Sequence, residues 1–451
     1  MPGMRPTPGT APIHDGSVSN ADASPLAGPA PVRRRRCFYI SGFDPQGPAH
    51  YHRMQVEEGA KCALLGGYPL EVSGRDRVGP QTARWWLRRQ AGGATSQEPL
   101  SEAASIETEV RFLRWDDIIR QHWPRSRAEL AWMTLGNFLR LVGSGMMWRI
   151  VQACWPTALA LSLPVLLWLG AALGAVALLG LAWGGLQVGG WGLASAVGGL
   201  GALALAAGLR AALRRVQGAW LMRSTRFMWR QAFGVPAFET RLDEMAEQVR
   251  EALHEAAAGG LDEVLVVGHS SGAILAASVA ARALRDSAPV PPTASAPRLS
   301  LLTLAHCIPM IGFHPAAAAF RDELRILGHS DRLDWLDMTA PADGCSFVLT
   351  DPMICLPRRE RETRVPPYRG PRLLSPRFAQ LFSAERWLQI RPDKYRVHFQ
   401  YLLAGEQADP SGQGWDFFEV VAGPRPLSMA LGGRPSAGPW RPFRRFGDPA
   451  R

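Results

Sequence analysis

Lysine is almost missing from this chain. Lys61 and Lys394 are the only two among 451 residues, although basic residues outnumber acidic ones 50 to 39. The formal excess of +11 is therefore carried by arginine. Such a balance suits nucleic acid, an acidic membrane surface, or no particular partner. No zinc-finger, KH or RRM-like pattern accompanies it, and no basic helix interleaved with aromatics, so nucleic acid is not an expected partner. Cysteine is sparse as well: Cys37, Cys62, Cys154, Cys307, Cys345 and Cys355 include no Cys-x-x-Cys pair. Their spacing excludes the common zinc motifs and a dense disulfide framework, and predicts reduced, mostly buried thiols. The opening residues lack the apolar core of a signal peptide. Arg33 to Arg36 resembles a twin-arginine signal, but only the short run Cys37 to Ile40 follows it before Gly and Pro. Residues 1–36, rich in Pro, Ala, Gly and Ser up to residue 32, are expected to form a disordered tail. The Gly-, Pro- and Arg-rich residues 426–451 are expected to form another.

Charge itself is missing from one long stretch. Between Arg149 and Arg210 there is no Asp, Glu, Lys or Arg, a run of 60 residues. One bilayer crossing takes about 20 apolar residues, so two crossings fit with a turn to spare. The composition predicts a transmembrane hairpin over 151–210, with helices near 154–183 and 190–209. The turn is expected at Gly184 to Gly190. Trp155, Trp183 and Trp191 fall near the span ends, where indoles favour the interface. Arg140 and Arg149 precede the hairpin, and Arg210, Arg214 and Arg215 follow it. The positive-inside bias then puts both flanks on the cytoplasmic side of the cytoplasmic membrane.

Chemistry enters at residues 261–285. Val264 to Val267 is a short apolar, β-branched run with the look of a strand buried on both faces. Strong helix formers follow Gly272, and Gly268-His269-Ser270-Ser271-Gly272 joins the two. This is the pattern G-x-S-x-G, in which a sharp strand-to-helix turn exposes a serine hydroxyl while small residues let strand and helix approach. The bare pattern is weak, since a glycine turn that binds phosphate or merely closes a βα corner shares it. Its setting strengthens it. A helical pattern from Phe238 to Ala257 precedes the strand, giving the alternation of a parallel α/β sheet.

A nucleophilic serine needs a base and an acid. In the order Ser, Asp or Glu, His, the acid follows a later strand. Leu299 to Leu304 and Leu333 to Thr339 read as the next two strands, with a helix over Ala316 to Leu327 between them. Asp343, in the loop Ala340-Pro341-Ala342-Asp343-Gly344, stands where the acid belongs; Asp337 and Asp351 are rivals. His398 is the only histidine after Asp343 and is the candidate base. The oxyanion donors expected are the N–H groups of Ser271 and of Phe43, which follows the strand-like Phe38-Tyr39-Ile40-Ser41-Gly42.

With these residues the chain resembles the α/β-hydrolase superfamily, and is similar to bacterial hydrolases that carry transmembrane segments. The resemblance covers roughly 37–140 and 211–425. It implies one mostly parallel sheet wrapped by helices, assembled from residues 37–150 and 211–425, with the hairpin inserted between them. An even number of crossings lets both halves complete that sheet. The activity implied is hydrolysis of a carboxylic ester or thioester, lipid-like substrates included, by Ser270, His398 and Asp343, with Ser271 and Phe43 as the oxyanion hole and Gly268 and Gly272 as elbow glycines. That chemistry requires no metal or organic cofactor. Acyl transfer to an alcohol or thiol, and a non-catalytic scaffold of the same fold, are the alternatives. The hairpin precedes the nucleophile and so reads as an anchor more than a lid.

Overall fold

The computed structural model describes residues 30–90, 105–124, 126–215, 220, 222–223, 234–285, 298–362, 369–408 and 414–437. Most of the two expected tails, 1–29 and 438–451, lies outside the described residues. Everything reported below belongs to the compact unit that begins at Val32.

Strand β6 (Glu263–His269) is buried along its whole length, which is why its sequence shows no polar alternation. It lies between β1 (Arg34–Ile40) and β7 (Leu299–Leu304), parallel to both. Beyond β7 come β8 (Leu333–Met338) and β9 (Arg372–Leu374), again parallel. On the other side of β1 the order is β5 (Ser105–Leu113), β4 (Thr82–Gln90) and β2 (Leu70–Val72), with β3 (Asp76–Gly79) also paired to β4. The β1–β5 pairing is parallel, and the β4 pairings are antiparallel. The result is a mixed, mostly parallel α/β sheet. Alternate residues of the central strands enter opposite cores: Phe38, Ile40, Val264 and Val266 one, Cys37, Tyr39, Leu265 and Val267 the other. Helices cover both faces. The helix Pro236–Ala257, for instance, buries Phe238, Leu242, Met245, Val249 and Leu253, a stripe at helical spacing. Because β1, β6, β7 and β8 run in one direction, the loops leaving their carboxyl ends gather at one edge of the sheet.

Helix α1 (Pro48–Gly66) follows β1; α2 (Asp116–Gln121) and α3 (Arg127–Gly143) follow β5. Next comes α4 (Met146–Arg215), a helical segment of 70 residues that is long and apolar enough to cross a membrane. Its dihedrals break at two points, Cys154 and Gly190. At Gly190 φ is +69°, open to glycine and costly for other residues. The chain folds back there. A Cβ placed on Gly174 would lie 3.1 Å from Leu205 Cδ1, one on Gly185 3.4 Å from Leu193 Cγ, and one on Gly198 3.7 Å from Ala182 Cβ. These antiparallel pairings rest on small residues, which allow two apolar helices to approach closely.

The chain departs from the sequence-based expectations in three places. The turn is not the stretch Gly184 to Gly190, because the helix continues through it and reverses at Gly190 alone. The first strand starts at Arg34, within the expected tail, since Arg35 is buried with its Nε 2.6 Å from Glu263 Oε2 and its Nη atoms on the carbonyls of Val421, Gly423 and Arg425. The segment after residue 425 is likewise packed up to Ala437. Leu427 N–H donates to Glu263 Oε1 at 2.8 Å, and Leu373 exchanges bonds with Ser436 Oγ and Ala437 N–H.

Candidate active site

The turn at the end of β6 is strained where the sequence pattern asks for strain. Ser270 has φ = +59°, a left-handed conformation that costs a non-glycine residue roughly 1–3 kcal/mol and collects at functional sites. Its N–H is tied to Leu304 O at 2.8 Å, and its carbonyl accepts from Ala273 N–H to open the helix Gly272–Arg285. The flanking glycines are needed for space. A Cβ on Gly272 would overlap the carbonyl oxygens of Ile40 and Ser41, and one on Gly268 would lie 2.6 Å from Ala273 Cα. The loop after β1 presses on the serine as well: a Cβ on Gly42 would sit 3.1 Å from Ser270 Cβ.

The loop after β8 and the short helix Lys394–Phe399 bring Asp343 and His398 together. Both are buried, and His398 Nδ1 lies 3.0 Å from Asp343 Oδ2 and 3.1 Å from Oδ1. Cys345 N–H donates to Oδ1 at 3.0 Å, and the Tyr401 hydroxyl lies 3.3 Å from Oδ2. That hydroxyl also accepts from Ala340 N–H at 2.6 Å, so Tyr401 fastens the acid loop at two points. Burial works to raise the Asp343 carboxyl. The charge and hydrogen bond of His398, with the bonds from Cys345 and Ser346, outweigh burial and hold it below the usual carboxylate range. His398 Nε2 is buried without a hydrogen-bond partner, as an acceptor waiting for a proton would be. Ser270, 9% exposed, does not bond to it in this structure; its hydroxyl is in reach of the Cys307 thiol. Serine–histidine bonds often close only around substrate.

His269 links the turn after β6 to His398. Its ring lies 5.1 Å from that of His398, and its Nε2–H donates to His398 O at 2.9 Å. Burial, then the neighbouring His398, push its pKa down to about 3. The folded value is below the unfolded one of about 6.5, so His269 contributes stability above pH 6.5 and loses it as pH falls towards 3. By pH 5 the loss from this group reaches about 2 kcal/mol. His269→Gln should accordingly narrow its stability deficit against the parent between pH 7 and pH 5, measured by denaturant titration at each pH. A constant deficit would show that His269 is not held neutral.

Of the expected oxyanion donors, Ser271 follows the serine directly, and Phe43 follows Gly42, which packs against it. No hydrogen bond from Ser271 N–H is found among the described residues, which leaves it for a ligand. Phe43 is the tip of a tight turn closed by Asp44 N–H to Gly42 O at 2.8 Å. Asp44 anchors that turn from below, accepting from Gln46 N–H and from the Tyr51 hydroxyl. The rival acids are otherwise engaged. Asp337 accepts from Thr303 Oγ1 at 2.6 Å inside β8, and burial drives its carboxyl well above the usual range. Asp351 caps the turn at Pro352–Cys355. Asp343, Cys345 and His398 could in principle hold a metal, their ligand atoms all lying within 4.8 Å of one another. Burial, then Asp343, push the Cys345 thiol well above its ordinary value, which makes it a poor ligand, and His398 Nδ1 is already spent on Asp343.

The apolar insertion reaches this site. Thr157 Oγ1 in α4 donates to Ser346 O at 2.6 Å, and Thr350 Oγ1 lies 3.4 Å from Ala153 O, so the helix braces the loop that carries Asp343. Beyond α4, the Trp220 ring sits 5.0 Å from that of His398, and the Arg223 guanidinium lies over Trp123, which stacks on Phe43. The hairpin, expected to be an anchor more than a lid, therefore also contacts the site. Tyr401, Trp220, Thr157 and Cys307 were not recognised from sequence; each meets the site across a long sequence separation, and none sits in a motif. No family model matches the chain, and neither does any curated protein or solved structure.

Proposed function

We propose that this chain is a membrane-anchored serine hydrolase of the α/β-hydrolase type, acting on carboxylic esters or thioesters. The observation that carries the reading is the left-handed Ser270 at the carboxyl end of the central strand, whose neighbour His269 bonds to the main chain of His398, the partner of the buried Asp343. Ser270 Oγ attacks the acyl carbonyl as His398 Nε2 takes its proton. Asp343 holds His398 in the tautomer that leaves Nε2 free and stabilises the imidazolium that forms. The N–H groups of Ser271 and Phe43 receive the developing oxyanion, and the start of the helix Gly272–Arg285 adds its dipole. His398 returns the proton to the leaving alcohol or thiol. Water, activated by the same histidine, then releases the acid; an alcohol or thiol in place of water would make the reaction an acyl transfer.

The two arms of α4 cross the bilayer, with Arg149 and the Arg210, Arg214 and Arg215 cluster both on the cytoplasmic side. Lipid-like acyl compounds suit a site roofed by Trp220 and braced by α4. The test is labelling with a fluorophosphonate probe in detergent. The parent should label, Ser270→Ala should not, and His398→Ala should label at least about a hundredfold more slowly. A folded parent that resists the probe would favour the non-catalytic scaffold.

A further inference from the structure

A cavity lies beside the start of α4, at the carboxyl-terminal side of α3. Its volume is about 820 Å³, and its lining includes Trp148, Arg149, Gln152, Phe313, Arg321 and Arg325 but no carboxylate. Arg325 is neutralised by Glu360 and Asp322. The other two guanidinium groups have no acidic partner among the described residues. Arg321 is clamped by the main-chain carbonyls of Gly312, His314 and Pro315, at 2.7–3.2 Å. Arg149 rests over the Phe313 ring, 5.8 Å from its centroid. The buried Cys355 thiol also lines the cavity, within the field of Asp351 as well as of Arg321 and Arg149. The site therefore holds two guanidinium groups without an ion pair among the described residues, one already immobilised, with the Gln152 amide lining the same cavity. The Arg149 fork matches the oxygens of a phosphate, while Arg321, with three of its N–H groups on carbonyls, adds a fixed charge and its remaining N–H groups.

Position selects the source of the phosphate. Arg149 is the last charge before the 60 charge-free residues, and the neighbouring Trp148 indole is 65% exposed, as at a membrane interface. From there Trp155, Leu159 and Leu166 continue along α4 as exposed apolar side chains. We propose that this cavity binds the headgroup of an anionic phospholipid, whose acyl chains lie along the first arm of α4. The inference rests on the reading of α4 as membrane-spanning. Arg210, Arg214 and Arg215 on the other flank attract anionic lipid only through diffuse charge.

The full chain is reconstituted in nanodiscs of phosphatidylcholine with a minority of phosphatidylglycerol, extracted gently, and its retained lipid identified by native mass spectrometry. Phosphatidylglycerol should be retained about tenfold over its share of the bilayer. Arg149→Gln should abolish that preference, and the double variant Arg214→Gln, Arg215→Gln should keep it. Equal retention of both lipids, or equal loss in both variants, would overturn the assignment. So would displacement of the lipid by millimolar glycerophosphate, which would mark a soluble phosphoester as the occupant. Failure to enter any nanodisc would remove the membrane reading and this inference with it; entry without selectivity would remove this inference alone.

Discussion

Asp343→Asn should lower the turnover of an ester substrate about ten-thousandfold and leave the fold intact. The size of the effect follows from which way the amide must point. Cys345 N–H donates to Oδ1, so the asparagine carbonyl is held at that position and the NH2 group occupies the place of Oδ2. That atom lies 3.0 Å from His398 Nδ1. A donor there favours an accepting Nδ1 with the ring proton on Nε2, against the carbonyl oxygen 3.1 Å from Nδ1 at the Oδ1 position. The base then faces Ser270 with a hydrogen where it needs a lone pair. Substrate binding is untouched, so the loss should fall on kcat and leave KM within a fewfold. Asp337→Asn is the decisive companion. Burial already drives the Asp337 carboxyl towards its neutral form, and an amide of the same shape keeps the Thr303 contact. It should cost no more than about tenfold in turnover. A reversed pattern, with Asp337 essential and Asp343 dispensable, would move the acid to β8 and dissolve the proposed triad.

The sequence announced the parts of this site whose logic is local. A left-handed serine between two cramped glycines is encoded within five residues, and the flanking strand and helix within twenty-five. Asp343 and His398 were reachable because an ordered triad restricts each partner to a stretch of chain, and that stretch held a single histidine. What stayed hidden depends on partners far along the chain. Arg33 to Arg36 reads as the end of a solvated tail until Glu263 and the carbonyls near residue 423 are seen to enclose Arg35. Residues 427–437 look like another tail until the other oxygen pairings of Glu263 and the edge of β9 take up their hydrogen bonds. Tyr401 is an ordinary aromatic in sequence and a two-point fastener of the acid loop in the fold. The Gly184–Gly190 run misled for a different reason. Glycine weakens a helix but does not end it, and here the helical hydrogen bonding persists through Gly184 to Gly189 until the positive φ of Gly190 turns the chain.

These local and distant constraints meet at Gly272, and Gly272→Ala should prevent the chain from reaching a stable folded state. The added methyl group would overlap two carbonyl oxygens, those of Ile40 and Ser41, at the end of β1. Side chains in a core can rotate away from such an intrusion, at a typical cost of about 1–3 kcal/mol. Main-chain oxygens can retreat only with their strand. Here Ile40 is held in register against Gly268 of β6, and Ser41 O accepts a hydrogen bond of 2.9 Å from the indole of the buried Trp115. Moving β1 would also displace Gly42, which sits against Ser270, and with it the following Phe43. The expected penalty exceeds about 4 kcal/mol, in the range where marginally stable domains unfold. Gly344→Ala provides the comparison, because a Cβ at Gly344 meets nothing within 4 Å. That variant should stay within about 0.5 kcal/mol of the parent, although it stands next to Asp343. Thermal unfolding in detergent, with the yield of monodisperse protein, separates the two. A Gly272→Ala protein that is folded and labels with the fluorophosphonate would show that strand and helix do not need their close approach, and the elbow would lose its physical basis.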